Sequence, residues 1–305
     1  MPFVYIDQNV LGFQLDGKIN FSGISGLRFV YSKVHFAEIR RSQNPESYLR
    51  ALRDIGATLL ELQMDNFKFT GSATLVEEGF PEEHYSRYME SIGEVNFDEG
   101  IFDPFQVWVN GGGNADLLRS LPNRFLAQLQ TLNEYLPEDL RLCKEHISDV
   151  MFSDTLEQMI ADGNDVENKR AALGGMKGRF GSIKGENQIL QIWKIIKPFL
   201  PSCSNLTSDH FFGFEPIPGI ENEPVSIYLG IVRCCAVLDI LGFKAEKKSR
   251  RIEKIANVRS DAAHIGMAAF CQALLSSDRR LTERAKAIYQ YKGIGTVPLI
   301  LEDAS

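Results

Sequence analysis

Phe3-Val4-Tyr5-Ile6-Asp7-Gln8-Asn9 opens the chain with four apolar residues that end on an acid. The run predicts a short strand, with Asp7 at its carboxyl end. In a parallel α/β sheet that is the edge where ligands bind. Leu27-Arg28-Phe29-Val30-Tyr31 predicts a second strand, and Ser32 behind it an N-cap for a helix carrying His35, Glu38 and Arg41. Asn44-Pro45-Glu46-Ser47 starts another helix, in which Leu49, Leu52, Ile55, Leu59 and Leu62 recur at helical spacing.

The far end of the chain repeats this plan. An apolar helix is predicted over 224–242 and a basic helix over 247–258. Asp261 opens a third helix that runs to Leu274, and a short strand then leads to Asp278. A helix over 281–291 and a last strand over 296–300 complete the pattern. Two strand–helix units at each end predict an α/β fold: one parallel sheet flanked by helices and assembled from both chain ends. Residues 1–64 with 224–305 form that discontinuous domain, and 65–223 a large, mostly helical insertion. Within the insertion a strand is expected inside 67–76, a helix over 82–92, a flexible turn at Gly111-Gly112-Gly113 and a loop over 202–224.

Charge divides the chain more sharply than its total of −7 suggests. From Gly71 to Glu167 there are 20 acidic and 5 basic residues, a net of −15 that leaves +8 for the remainder. The five cysteines form no Cys-x-x-Cys pair and lie mostly in apolar contexts, so they are read as reduced core residues. No apolar run approaches the ~20 residues of a membrane span. Met1-Pro2-Phe3-Val4-Tyr5 lacks the basic start and long apolar stretch of a signal peptide. The expectation is a cytoplasmic protein with no membrane partner.

Singly, Asp7, Asp261 and Asp278 could each cap a helix, and Glu38 could be solvated. Together they all fall at carboxyl-end positions of strands or on neighbouring helices. Four carboxylates crowded there would repel one another unless a divalent cation held them.

Val4-Tyr5-Ile6-Asp7-Gln8-Asn9, the run from Val30 through Glu38 to Ile39, and the run from Ser260 through Asp261 and His264 to Ala268 resemble the first three motifs of PIN-domain nucleases. Ser276-Ser277-Asp278-Arg279-Arg280-Leu281 resembles the fourth. The likeness covers the two ends and none of the middle. It implies a sheet of four or five parallel strands with the first strand central and helices on both faces. It also implies metal-dependent phosphodiester hydrolysis, usually of RNA, leaving 5′-phosphate ends. Carried onto this chain, Asp7, Glu38, Asp261 and Asp278 would be catalytic and hold Mg²⁺ or Mn²⁺, with Asn9 and Ser276 in support. His264, one turn beyond Asp261, would be a supporting or phosphate-contacting group or a packed histidine, and His35 before Glu38 is read the same way. Hard oxygen ligands suit these metals rather than zinc.

A nuclease also needs cationic contacts for a polyanion. Lys247, Lys248, Arg250 and Arg251 lie in one basic stretch, and Lys177 and Arg179 in a glycine-rich second. Solvated faces would give the same pattern. Phe102, Phe105, Trp108 and Phe125 could stack bases but fit a core better. The expected substrate is nucleic acid, RNA ahead of DNA. The acidic insertion is a lid, a homo-oligomer surface or a docking site for a regulatory protein. The alternatives are structure-specific DNA cleavage and a non-catalytic PIN-like module that binds nucleic acid or a protein.

Overall fold

The computed structural model describes residues 1–21, 24–65, 68–94, 100–135, 149–174, 180–200, 205–219, 223–245 and 250–302. Six strands make one sheet: β1 (Phe3–Ile6), β2 (Arg28–Ser32), β3 (Thr58–Asp65), β4 (Lys68–Val76), β5 (Ala273–Ser276) and β6 (Val297–Ile300). Their spatial order is β4-β3-β2-β1-β5-β6. Neighbours are parallel except for the antiparallel pair β3 and β4. β1 is therefore the centre of five parallel strands; the apolar runs predict the four from the outer ends of the chain, and β3 joins them.

The reason lies in the opening residues. Tyr5 is in register with Val30 on one side and Leu274 on the other. All three enter one apolar core with Ile192, Ile231, Ile265 and Ile288. Val4 and Ile6 point to the opposite face of the pleat and are equally buried. Apolar residues on both faces explain why the run is continuous rather than alternating. Each such side chain, fully buried, contributes about 1.5–3 kcal/mol.

Contacts divide the described chain into two compact units. The first comprises 1–86, 170–245 and 259–305, and the second 87–169 with 246–258. Helices α1 (Gln8–Leu15), α2 (Lys33–Arg41) and α3 (Pro45–Asp54) follow the early strands, and α4 (Pro81–Glu94) follows β4. The second unit is helical, with α5 (Asp103–Val109), α6 (Ala115–Arg119), α7 (Leu121–Tyr135), α8 (Asp149–Ala161) and the start of α9 (Val166–Ala172). The first unit resumes with α10 (Gln188–Ile196), α11 (Ser208–Phe211) and α12 (Ile227–Leu241). Last come α13 (Ile252–Ala268), which supplies residues to both units, and α14 (Arg279–Lys292).

Several expectations change. The insertion is shorter than 65–223: β4 extends the sheet, and Ile189, Ile192, Trp193 and Ile196 of α10 are buried in the core of the first unit. α10 carries an apolar stripe at helical spacing, and nothing in that local pattern says which core receives it. Leu59 and Leu62 belong to β3, because α3 ends at Asp54 and Gly56 turns the chain with φ +61°. Two helices predicted around 247–274 are one, α13, so Asp261 lies inside a helix instead of opening it. The three glycines at 111–113 form a packed turn. A Cβ on Gly112 would collide with the Arg250 carbonyl oxygen in the same unit. Cys234, Cys235 and Cys271 are buried free thiols, as expected, whereas Cys143 and Cys203 lie outside the described residues. Among the described residues no helix is long and apolar enough to cross a membrane.

Candidate active site

The sheet order reverses direction at β1, since β2 and β3 lie to one side and β5 and β6 to the other. Ligand crevices in open α/β sheets form at this point, beyond the carboxyl ends of the strands. Asp7 and Ser276 stand there, at the ends of β1 and β5. The Ser276 hydroxyl donates to Asp7 Oδ2 at 2.7 Å. The Asp7 amide donates to the Leu275 carbonyl at 2.9 Å, and Asn9 Nδ2 donates to Asp7 Oδ2 at 3.2 Å. Asp7 occupies the N-cap position of α1, yet its carboxylate caps nothing. Those oxygens face Ser276, Asn9 and His264, and Asp7 is 2% exposed.

α2 brings Glu38. The helix is fixed by Ser32, whose hydroxyl accepts from the Val34 amide at 3.3 Å, while the Ser32 amide donates to His35 Nδ1 at 3.1 Å. Such caps contribute about 0.5–2 kcal/mol. His35 Nε2 meets the Ile6 carbonyl at 2.7 Å and must donate to it. The ring is thus the Nε2–H tautomer, and it is neutral: burial first, then the charge of His264, pull its pKa down to about 3. His35 is a structural tie between β1 and α2.

α13 brings Asp261 and, one turn on, His264. The His264 ring is fully buried. Its Nε2 lies 3.1 Å from Glu38 Oε2 and 3.9 Å from Asp7 Oδ1. Its Nδ1 lies 2.9 Å from the Tyr5 hydroxyl, which is 2.7 Å from Ser32 Oγ. Burial opposes a charge on His264, but Glu38, Asp7 and Asp261 together raise its pKa above the ordinary value. Burial also pushes Glu38 up, and the charge and hydrogen bond of His264 outweigh it, leaving Glu38 depressed.

The other two acids are less well compensated. Burial, followed by the Glu38 charge among the opposing influences, raises Asp7 in spite of His264, Ser276 and Asn9. Asp261 is pushed up to about 8, first by burial and then by the charges of Asp7 and Glu38. It accepts no hydrogen bond from any described residue. The charges of three carboxylates, at the end of β1, on α2 and on α13, are therefore coupled, and Asp7 and Asp261 are left short of positive charge.

The fourth predicted acid is used differently. Asp278 Oδ1 accepts from the amides of Arg280 at 2.7 Å and Leu281 at 3.2 Å, which makes it the N-cap of α14. Its own amide donates to Ser276 Oγ, so it adjoins the crevice through its backbone. The sequence pattern fits both a ligand and a cap, and the structure gives the cap. Of the cationic candidates, Arg250 pairs with Glu167 at 3.6 Å and Arg251 is exposed, both in the second unit. Lys247, Lys248, Lys177 and Arg179 lie outside the described residues. Arg41, placed on the helix of Glu38 by the sequence, has a further part. It stands three residues beyond Glu38, its charge lowers the Glu38 pKa, and it donates to Ser260 Oγ at 3.1 Å. Trp108 is buried in the second unit, while Phe102 and Phe105 are substantially exposed.

The donor chemistry of Asp7, Glu38 and Asp261 fits a hard divalent cation. Among the described residues, no three His, Cys, Asp or Glu side chains are grouped to hold one as they stand. The side chain that Asp7 and Glu38 both face in this structure is His264.

Comparison of the chain with protein-family models, with curated proteins and with solved structures finds no match.

Proposed function

We propose that the chain is a PIN-like, Mg²⁺- or Mn²⁺-dependent nuclease acting on RNA and leaving 5′-phosphate ends. The observation that supports it most is the coupling of three carboxylates at the reversal point of the sheet, with Asp7 and Asp261 short of positive charge and Glu38 held by His264. Asp7, Glu38 and Asp261 would hold the cation, which when bound would polarise the phosphoryl oxygen and lower the pKa of a water. The residues of the chain do the rest. Ser276 and Asn9 orient Asp7, His264 holds Glu38, and Arg41 offers a phosphate contact at the rim. Asp278 caps α14 and keeps Ser276 in place.

A labelled RNA oligomer, with DNA as the parallel substrate, tests this in Mn²⁺ against a chelator control. Cleavage should require the metal, and Asp7→Asn should lower it at least ~100-fold, about 2.7 kcal/mol in the barrier, while the circular dichroism spectrum is retained. Undiminished turnover in that variant would rule the scheme out. A second reading draws on the His264–Glu38 contact at 3.1 Å. In it the acids are structural and the module binds without cutting; wild-type protein showing no Mn²⁺ binding by calorimetry would favour it.

A further inference from the structure

The buried Tyr5 hydroxyl has no place in the chemistry above, yet it links Ser32 of β2 to His264 of α13. Counting protons shows what the link does. Ser32 Oγ already accepts from the Val34 amide, and its own proton has one acceptor among the described residues, the Tyr5 oxygen. Tyr5 then donates to His264 Nδ1. A ring that accepts at Nδ1 carries its proton on Nε2. If the ring is doubly protonated instead, Nδ1 donates to Tyr5 and Nε2 still bears a proton. Both orders aim an N–H at Glu38 Oε2.

We propose that Ser32, Tyr5 and His264 form a positioning relay that keeps a proton on His264 Nε2 and so holds Glu38 Oε2 beside Asp7. The second Glu38 oxygen accepts from no described residue and is left for a ligand of the crevice. Two of the three links meet on Tyr5 of β1, and the third joins α13 to α2. Tyr5 is in register with Val30, two residues before Ser32, and its ring lies 5.7 Å from that of His264. The assignment of Glu38 as a ligand rests on the nuclease reading, whereas the relay itself does not.

The experiment is ¹⁵N NMR of the histidine side chains in the full chain, with the His264 signals assigned by His264→Gln. Wild type should show a slowly exchanging Nε2–H on His264, and Tyr5→Phe should speed its exchange at least tenfold. A ring protonated on Nδ1 alone, or unchanged exchange in Tyr5→Phe, overturns the relay. The same proteins are titrated with Mn²⁺ by calorimetry. His264→Leu should weaken binding about tenfold, while His264→Gln, which can donate from Nε2, should stay within about threefold of wild type. Equal losses in both, scaling with thermal stability, would make His264 merely structural and also overturn the proposal. If wild type binds no Mn²⁺, the nuclease reading fails alone, because the exchange data still decide the relay.

Discussion

Two groups of acids in the first unit are built oppositely. Asp239 on α12 meets Arg284 of α14 in a two-pronged pair, with Nη2–Oδ1 at 2.6 Å and Nη1–Oδ2 at 3.3 Å. The guanidinium also donates to the Lys244 carbonyl at 2.9 Å. In the crevice, Asp7, Glu38 and Asp261 share one histidine, and two of the three are pushed toward protonation. An acid that serves the fold is matched by an equal and opposite charge. An acid left in deficit beside others has no such partner within the described chain. Burial alone would not have separated the two, since Asp239 and Asp7 are equally hidden.

Breaking the matched pair should have the largest effect. Arg284→Met strands Asp239 without its guanidinium and should destabilise the protein by about 3–5 kcal/mol in chemical denaturation. Asp239→Leu combined with Arg284→Met should recover most of that loss, because an apolar pair carries no desolvation penalty. A deficit in the crevice predicts the reverse sign. Asp261 has a native pKa of about 8 against an ordinary value near 4, so the native state binds more protons than the unfolded state between those limits. Its contribution to stability is therefore fullest below pH ~4 and is lost as pH rises toward ~8. Asp261→Asn should flatten that decline and gain at least the ~1.4 kcal/mol of one pKa unit at pH 8. Urea midpoints across pH 4–8 measure it, and a steeper decline in the variant would contradict the charge deficit. The smallest effect belongs to the acid that left the cluster. Asp278→Ala should cost about 1 kcal/mol as a lost cap, whereas Asp278→Asn, an equally good cap, should lie within ~0.5 kcal/mol of wild type. Cleavage by Asp278→Asn should stay within about threefold of wild type; loss comparable to Asp7→Asn would restore Asp278 to the centre.

Much of this was legible in advance because the relevant signals are local. The apolar run 3–6 marked β1, Ser32 marked the start of α2, and Asn44-Pro45 marked α3, where the Asn44 side chain accepts from the Ser47 amide. The pattern of acids named Asp7, Glu38 and Asp261, whose charges are coupled. It named Asp278 for the same reason, since an acid after a strand looks alike whether it caps or coordinates. The relay was hidden because Tyr5 lies 27 residues from Ser32 and 259 from His264. To a periodicity count it is one more apolar residue in a strand.

The amino-acid order by itself determined that β1, β2, β5 and β6 are strands, where several helices begin, and which acids sit at strand ends. Those properties depend on neighbours a few positions away. Only the tertiary structure decided how charge is shared. It assigned Arg284 to Asp239, gave His264 to Glu38 and Asp7, left Asp261 short, and drew α10 into the sheet's core. Each outcome depends on desolvation and distance between groups far apart in the chain, which sequence spacing does not encode.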